Sequence, residues 1–158
     1  AEYAEAMSLN PLDSRIPVLM GQLHAFATRV PRTSSILEEQ RVAQVRLALE
    51  GYSRAIGLAP FSALYRYEQI KLHWLLGEKG NAERQAKEVE RLEPNFLPAR
   101  IFMAQVALEE NRIEEVKNQL REIQERQARY QHWQKNALEQ LFLDVDVEPI
   151  RVAIDKKG

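Results

Sequence analysis

Pro60 and Pro94 stand 34 residues apart, and the residues leading up to them recur in register. Tyr52-x-x-Ala55-x-x-Leu58-x-Pro60 returns as Ala86-x-x-Val89-x-x-Leu92-x-Pro94. It fades into Leu120-x-x-Ile123-x-x-Arg126-x-Ala128, where a third proline would be expected. Upstream, Tyr3-x-x-Ala6-x-x-Leu9-x-Pro11 repeats the Tyr52 version residue for residue. Self-similarity at a fixed period of this length marks a stack of supersecondary units, each burying its apolar face against its neighbours. The three-residue spacing of the repeated positions puts them on one face of a helix, and a proline that follows ends it. The period therefore predicts an all-α chain built from helix pairs.

Taken in order, residues 1–142 read as one repeat domain, followed by a tail over 143–158. The domain divides into a partial unit over 1–11, a unit over 14–60, units over 63–94 and 97–128, and a capping helix over 128–142. Pro11 to Pro60 spans 49 residues, which leaves 15 extra for the loop between the helices and for added turns on the second. Ser14 is placed to cap a helix reaching about Thr28, with Pro17 tolerated in its first turn. Gly21 sits mid-helix at a cost of about 1 kcal/mol relative to alanine, a cost usually offset by the close approach of a neighbouring helix. Ser35-x-x-Glu38 forms a capping box for a long helix over about Ile36–Leu58, with Leu37, Val45, Ala48, Tyr52 and Ala55 inward. Leu64, Tyr67, Ile70, Lys71 and Trp74 follow at helical spacing, then a turn at Gly77–Gly80. Asn81 and Asn95 are expected as caps of the next two helices, and Asn111-x-x-Glu114 as a second capping-box-like start. Tyr130, Trp133, Ala137, Leu138 and Leu141 form the apolar stripe of the expected capping helix. The tail fits a short helix capped by Asp146, with Val147, Ile150 and Ile154 inward, or an extended segment in which Ile150, Val152 and Ile154 alternate.

Composition narrows the function. With 22 basic and 23 acidic residues the formal charge is −1, so nothing attracts a nucleic acid. There are no cysteines, which excludes disulfide and thiolate chemistry. No apolar run reaches the roughly 20 residues of a membrane span, so no direct membrane insertion is expected of this chain. His24, His73 and His132 are isolated and read as helix-face residues. Glu38-Glu39, Glu109-Glu110 and Glu114-Glu115 are adjacent on helices, about 100° apart, and do not converge on a substrate. Gly77-x-x-Gly80 lacks the lysine and preceding strand of a phosphate loop. No catalytic, cofactor or metal site is expected, and the chain is read as non-enzymatic.

The period and the residue types resemble the tetratricopeptide repeat family across roughly residues 1–128. Matching positions are Met20, Gly21, Ala48, Tyr52, Ala55 and Pro60, then Gly77, Ala82, Ala86 and Pro94, then Met103, Ala104, Ala107, Val116, Leu120 and Ile123. Ile70 departs from the pattern, which has a small residue there, and Ala128 departs in place of the closing proline. The resemblance implies a right-handed superhelix, or solenoid, of about three helix-turn-helix repeats with a C-terminal capping helix. It also implies a concave groove lined by the first helix of each pair, here Val18, Gln22, Tyr67, Lys71, Trp74, Ile101, Gln105 and Leu108. The lysine, asparagine and arginine cluster with which family members hold a peptide's terminal carboxylate is absent. An apolar or helical protein segment is therefore the expected partner. The alternative for Tyr67 and Trp74 is core packing, or cover by the chain's own tail.

Because the chain opens inside a repeat signature, it reads as a piece of a longer protein serving as an interaction or scaffolding module. A narrower resemblance lies in Leu92-Glu-Pro-Asn-Phe-Leu-Pro-Ala-Arg100 and Phe142-Leu-Asp-Val-Asp146. These runs are similar to the C-terminal repeat regions of bacterial O-antigen ligases and polymerases. That resemblance would make the chain a soluble appendage of an inner-membrane glycan enzyme. A homodimerisation domain is the third reading, and the parent domain or a second copy then becomes the partner.

Overall fold

The computed structural model describes residues 9–10, 12–27 and 35–156, and among these every regular element is a helix. The helices are α1 (Arg15–Ala27), α2 (Ser35–Leu58), α3 (Ala63–Leu75), α4 (Lys79–Leu92), α5 (Leu97–Glu109), α6 (Ile113–Tyr130), α7 (Ala137–Leu143) and α8 (Glu148–Asp155). The chain divides into two compact units, Ala1–Gln85 and Ala86–Gly158, with the division inside α4. The Tyr3 signature, the end of the helix near Thr28 and the capping box at Ser35 lie wholly or partly outside the described residues.

In the first unit α1 lies along α2, and α2 packs on α3. The core joins Val45, Ala48 and Tyr52 of α2 to Leu72 of α3, with Val18 and Ala25 of α1 packed against them. What lets α1 come so close is a pair of facing glycines. A Cβ built on Gly51 would stand 2.8 Å from the Pro17 carbonyl oxygen and 2.9 Å from the Gly21 nitrogen. A Cβ on Gly21 would meet the Tyr52 ring at 2.8 Å. The backbones are in contact at this crossing, which is the close approach that a glycine within a helix predicts. A buried amide adds specificity on the other side of α2, where Gln69 of α3 donates to Ser53 Oγ at 2.8 Å.

In the second unit α5 pairs with α6, and α7 and α8 fold back on them. Ala104 and Ala107 of α5 share a cluster with the larger Val116 and Leu120 of α6 and with Ile150 of α8. A second cluster joins Leu97, Ile123 and Leu143, with Tyr130, Phe142, Val145 and Val147 packed on it. The tail is helical, but Val147 and not the expected Asp146 is its N-cap; Asp146 stands one residue earlier, its Oδ1 accepting from the Glu148 amide at 2.9 Å, while Pro149 stands in the first turn and Ile150 is buried. Gln127 holds the approach to that helix, its amide donating to the Leu143 and Val145 carbonyls at 3.0 Å each.

The period is visible in the turns. After α3 the chain turns at Gly77 (φ 73°), with Gly77 N–H bonded to Trp74 O at 3.0 Å and Glu78 N–H to His73 O at 2.9 Å. After α5 it turns at Asn111 (φ 59°), with Asn111 N–H bonded to Leu108 O at 3.2 Å and Arg112 N–H to Ala107 O at 2.8 Å. Each residue of the second set is 34 positions beyond its counterpart, and both turns close the orphan carbonyls of a helix end in the same way. A second pair repeats within its own unit. Arg66 Nη1 donates to Gln85 Oε1 at 3.2 Å, and Arg100 Nη1 donates to Gln119 Oε1 at 3.0 Å.

Three expected caps are corrected by these contacts. Asn111 is the left-handed residue ending α5, not the N-cap of α6, because asparagine tolerates positive φ better than other non-glycine residues. Asn81 lies inside α4, linking Arg84 at 2.7 Å to Glu78 at 3.1 Å. Asn95 precedes α5 but turns its side chain to α6, accepting from Arg126 at 3.2 Å and meeting the Tyr130 hydroxyl at 3.3 Å.

The single helix expected over 128–142 is also corrected. α6 ends at Tyr130, and α7 begins at Ala137 behind a capping box. Asn136 Oδ1 accepts from the Glu139 amide at 2.9 Å while Glu139 Oε2 accepts from the Asn136 amide at 2.8 Å. The box satisfies the first amides of a new helix, so it favours a restart at Asn136 over continuation. The expected stripe is therefore split. Trp133 is 64% exposed, Leu138 55% and Leu141 51%.

Candidate interaction site

The side chains proposed from sequence fall into both units and are described unit by unit. In the first, Gln22 and Lys71 are exposed, while Val18, Tyr67 and Trp74 are half-buried. Val18 packs against the α1–α2 core. Tyr67, Lys71 and Trp74 lie along one stripe of α3, at the four- and three-residue spacing that aligns side chains on a helix. Lys71 Nζ stands 5.1 Å from the centre of the Tyr67 ring and is also 2.6 Å from Glu68 Oε1. Lys79 Nζ stands 5.0 Å from the centre of the Trp74 ring. Each of the two half-buried rings thus has a lysine ammonium against it, on a flexible stem whose charged head can reach water. Burial, and secondarily the charge of Glu68, raises the Tyr67 phenol above its ordinary pKa.

Behind this stripe the helix end is pinned by charge. His73 Nδ1 meets Glu78 Oε2 at 2.7 Å, and the Asn81 amide donates to the same oxygen at 3.1 Å. The His73 hydrogen bond, followed by that of Asn81, holds the Glu78 carboxyl below the usual range. His24 Nδ1 lies 2.6 Å from Gln44 Oε1, tying α1 to α2, and His132 meets Gln131 at 3.0 Å. Among the described residues no group of three or more histidine or acidic side chains is placed to hold a metal ion. The adjacent carboxylates are drawn to arginines and lysines: Glu38 to Arg41, Glu114 to Lys117, and both Glu110 and Glu115 to Arg112.

In the second unit Ile101, Gln105 and Leu108 stand 34 residues beyond Tyr67, Lys71 and Trp74. Gln105 is exposed, whereas Ile101 and Leu108 are half-buried against the cluster that includes Ile150 of the tail helix. Sequence reasoning did not single out a concavity in this same unit. It has a volume of about 360 Å³ and is lined by Glu93, Asn95, Tyr130, Trp133, Lys135, Leu138, Glu139, Phe142 and Leu143. The break between α6 and α7 creates it. The readable signal was Asn136-Ala-Leu-Glu139, a capping-box spacing in the middle of the expected helix.

Among the described residues no helix is long and apolar enough to cross a membrane. No protein-family model matches the chain, and no curated protein matches it in sequence. In structure it is similar to the crystal structure of MamA, a tetratricopeptide-like helical repeat protein. The TM-score is 0.55 at 15% identity, over 83% of this chain and 88% of that one. At that identity the likeness extends to the fold alone. The fold is all-α and of the tetratricopeptide-like helical repeat class.

Proposed function

We propose that the chain is a non-catalytic protein–protein interaction module of a larger protein, and that it takes an apolar or helical segment on the face carrying Tyr67, Lys71 and Trp74. The observation that supports this reading is the pair of lysine ammoniums over the Tyr67 and Trp74 rings. Rings serving only as core would be roofed by apolar side chains. Here each ring carries an ammonium instead, a contact worth about 0.5–1 kcal/mol where it is exposed. Val18 and Gln22 extend the proposed groove on α1, and Ile101, Gln105 and Leu108 are its equivalents one period later. Stacked helix pairs characteristically present such first-helix faces to extended or helical partners.

Trp74→Ala tests the reading. It should weaken association with a partner, or with a second copy, while lowering stability by only about 1 kcal/mol. A fully buried tryptophan would instead lose roughly 3–5 kcal/mol. Light-scattering mass over a wide concentration range, together with urea unfolding, separates the two. A large stability loss with unchanged association would assign the ring to the core. The narrower reading, an appendage of an O-antigen ligase or polymerase, rests on sequence likeness alone. Phe96, Leu97 and Leu143, within the two runs that carry it, are buried core residues with a packing role of their own.

A further inference from the structure

The concavity between α6 and α7 has a chemistry distinct from that of the α3 stripe. Three of its walls are aromatic. Trp133 meets Tyr130 edge to face at 5.3 Å, and Phe142 is fixed the same way on buried Phe96 at 4.7 Å. Tyr130 is positioned through its hydroxyl by Asn95, which Arg126 anchors in turn. The wall is thus held by contacts beneath it, while most of Trp133 remains open to solvent.

The charged groups that line it are two carboxylates and one ammonium. The ammonium, Lys135, is ion-paired with Asp144. The carboxylates are not paired with any cation among the described residues. Glu93 accepts from the Asn95 amide at 3.2 Å, and Glu139 from the Asn136 amide at 2.8 Å. Each bond uses one oxygen and leaves the other for a ligand. An electron-rich aromatic wall and an excess of negative charge both favour a cation with a flat or apolar body. The cavity is of the size that accepts a side chain or small ligand. A net charge of −1 for the whole chain means that any such preference belongs to this pocket and not to the general surface.

We infer that this pocket binds an arginine side chain presented by a peptide segment, with the guanidinium plane against Trp133 and its N–H groups directed to Glu93 and Glu139. This site is independent of the α3 face and stands or falls without it.

The test uses three capped peptides of the same apolar sequence, with arginine, citrulline or norleucine at the centre. Citrulline keeps the shape and removes the charge. Binding is read by the chemical shift of the Trp133 indole N–H, assigned by its loss in Trp133→Phe. The arginine peptide should bind at least about tenfold more tightly than either control and weaken as salt is raised. The double variant Glu93→Gln/Glu139→Gln should remove that preference while unfolding at the same temperature as the parent, since glutamine can keep both amide contacts. Equal binding of all three peptides would make the site a plain apolar groove and overturn the inference, as would no binding of the arginine peptide. A mass that doubles with concentration in the parent and not in the double variant would make a second copy the occupant and overturn the peptide assignment.

Discussion

Gly51→Ala and Gly57→Ala change the same helix in the same way, six residues apart, and should act in opposite directions. Within a helix each replacement gains up to about 1 kcal/mol from the lost flexibility of glycine, less near a helix end. At Gly57 nothing lies within 4 Å of the new Cβ, so a gain of about 0.5–1 kcal/mol should be realised. At Gly51 the new atom meets three backbone atoms of α1: Pro17 O at 2.8 Å, Gly21 N at 2.9 Å and Gly21 Cα at 3.1 Å. None is the end of a side chain that can swing away. The two helices must part by about half an ångström, loosening the packing of Val18 and Tyr52 around the crossing. Overpacking of this kind costs about 1–3 kcal/mol. Set against the propensity gain, Gly51→Ala should be destabilising by up to about 2 kcal/mol, a fall in melting temperature of up to roughly 4–8 °C for a chain of this size. Urea unfolding followed by helical circular dichroism measures both variants against the parent. If Gly51→Ala stabilised the chain as much as Gly57→Ala, the helices would not be in backbone contact there and the account of the first unit would be refuted.

Three further variants have expected outcomes. Gly77→Ala should cost about 1 kcal/mol, because alanine must then hold a φ of 73°, whereas Asn111→Gly at the equivalent turn should gain a few tenths or more, both read as shifts in the urea midpoint. Alkaline stability should depend on Tyr52. Burial, with lesser contributions from the charge of Glu68 and from Tyr65, pushes its phenol well above the ordinary value near 10. A raised folded-state pKa means that the unfolded chain releases the proton first. The contribution is therefore complete below about pH 10 and is lost as pH rises from there towards the folded value, at up to about 1.4 kcal/mol per unit. Tyr52→Phe should flatten that slope, and an unchanged slope would show that another group sets it.

The fold was legible wherever periodicity and a local rule agreed. The signature ending at Pro60 and Pro94 predicted the helix pairs, and Gly21 pointed to a close crossing before its partner at Gly51 could be identified. Glycine at position 51 carried the same signal but was hidden in an otherwise unremarkable α2 pattern. Asparagine was the harder letter to read. The residue serves as cap, left-handed turn or buried anchor, and only tertiary context distinguishes Asn136, Asn111 and Asn95. The pocket between α6 and α7 was missed because Tyr130, Trp133 and Leu138 of its lining share the expected helical stripe. Their spacing alone favours one buried helix, and the restart at Asn136 overrides it. Of the proposed groove, the α3 stripe followed from spacing. The packing of Ile101 and Leu108 beside the tail cluster did not, since a tail's destination is a long-range property that local pattern does not encode.

The matched turns at Gly77 and Asn111 also bear on how such a chain changes length. Each is closed by the same two amide–carbonyl bonds, and each hands the chain on to its next helix from the same geometry. A segment removed or duplicated between those two points joins one turn to its own equivalent, so a change of 34 residues leaves the junction chemistry intact. A change of one residue fewer or more would rotate everything after it by about 100° and turn an inward face toward solvent. Between these two turns a whole repeat is therefore the length change that preserves the register, whereas the 15 extra residues of the first unit lie upstream of both.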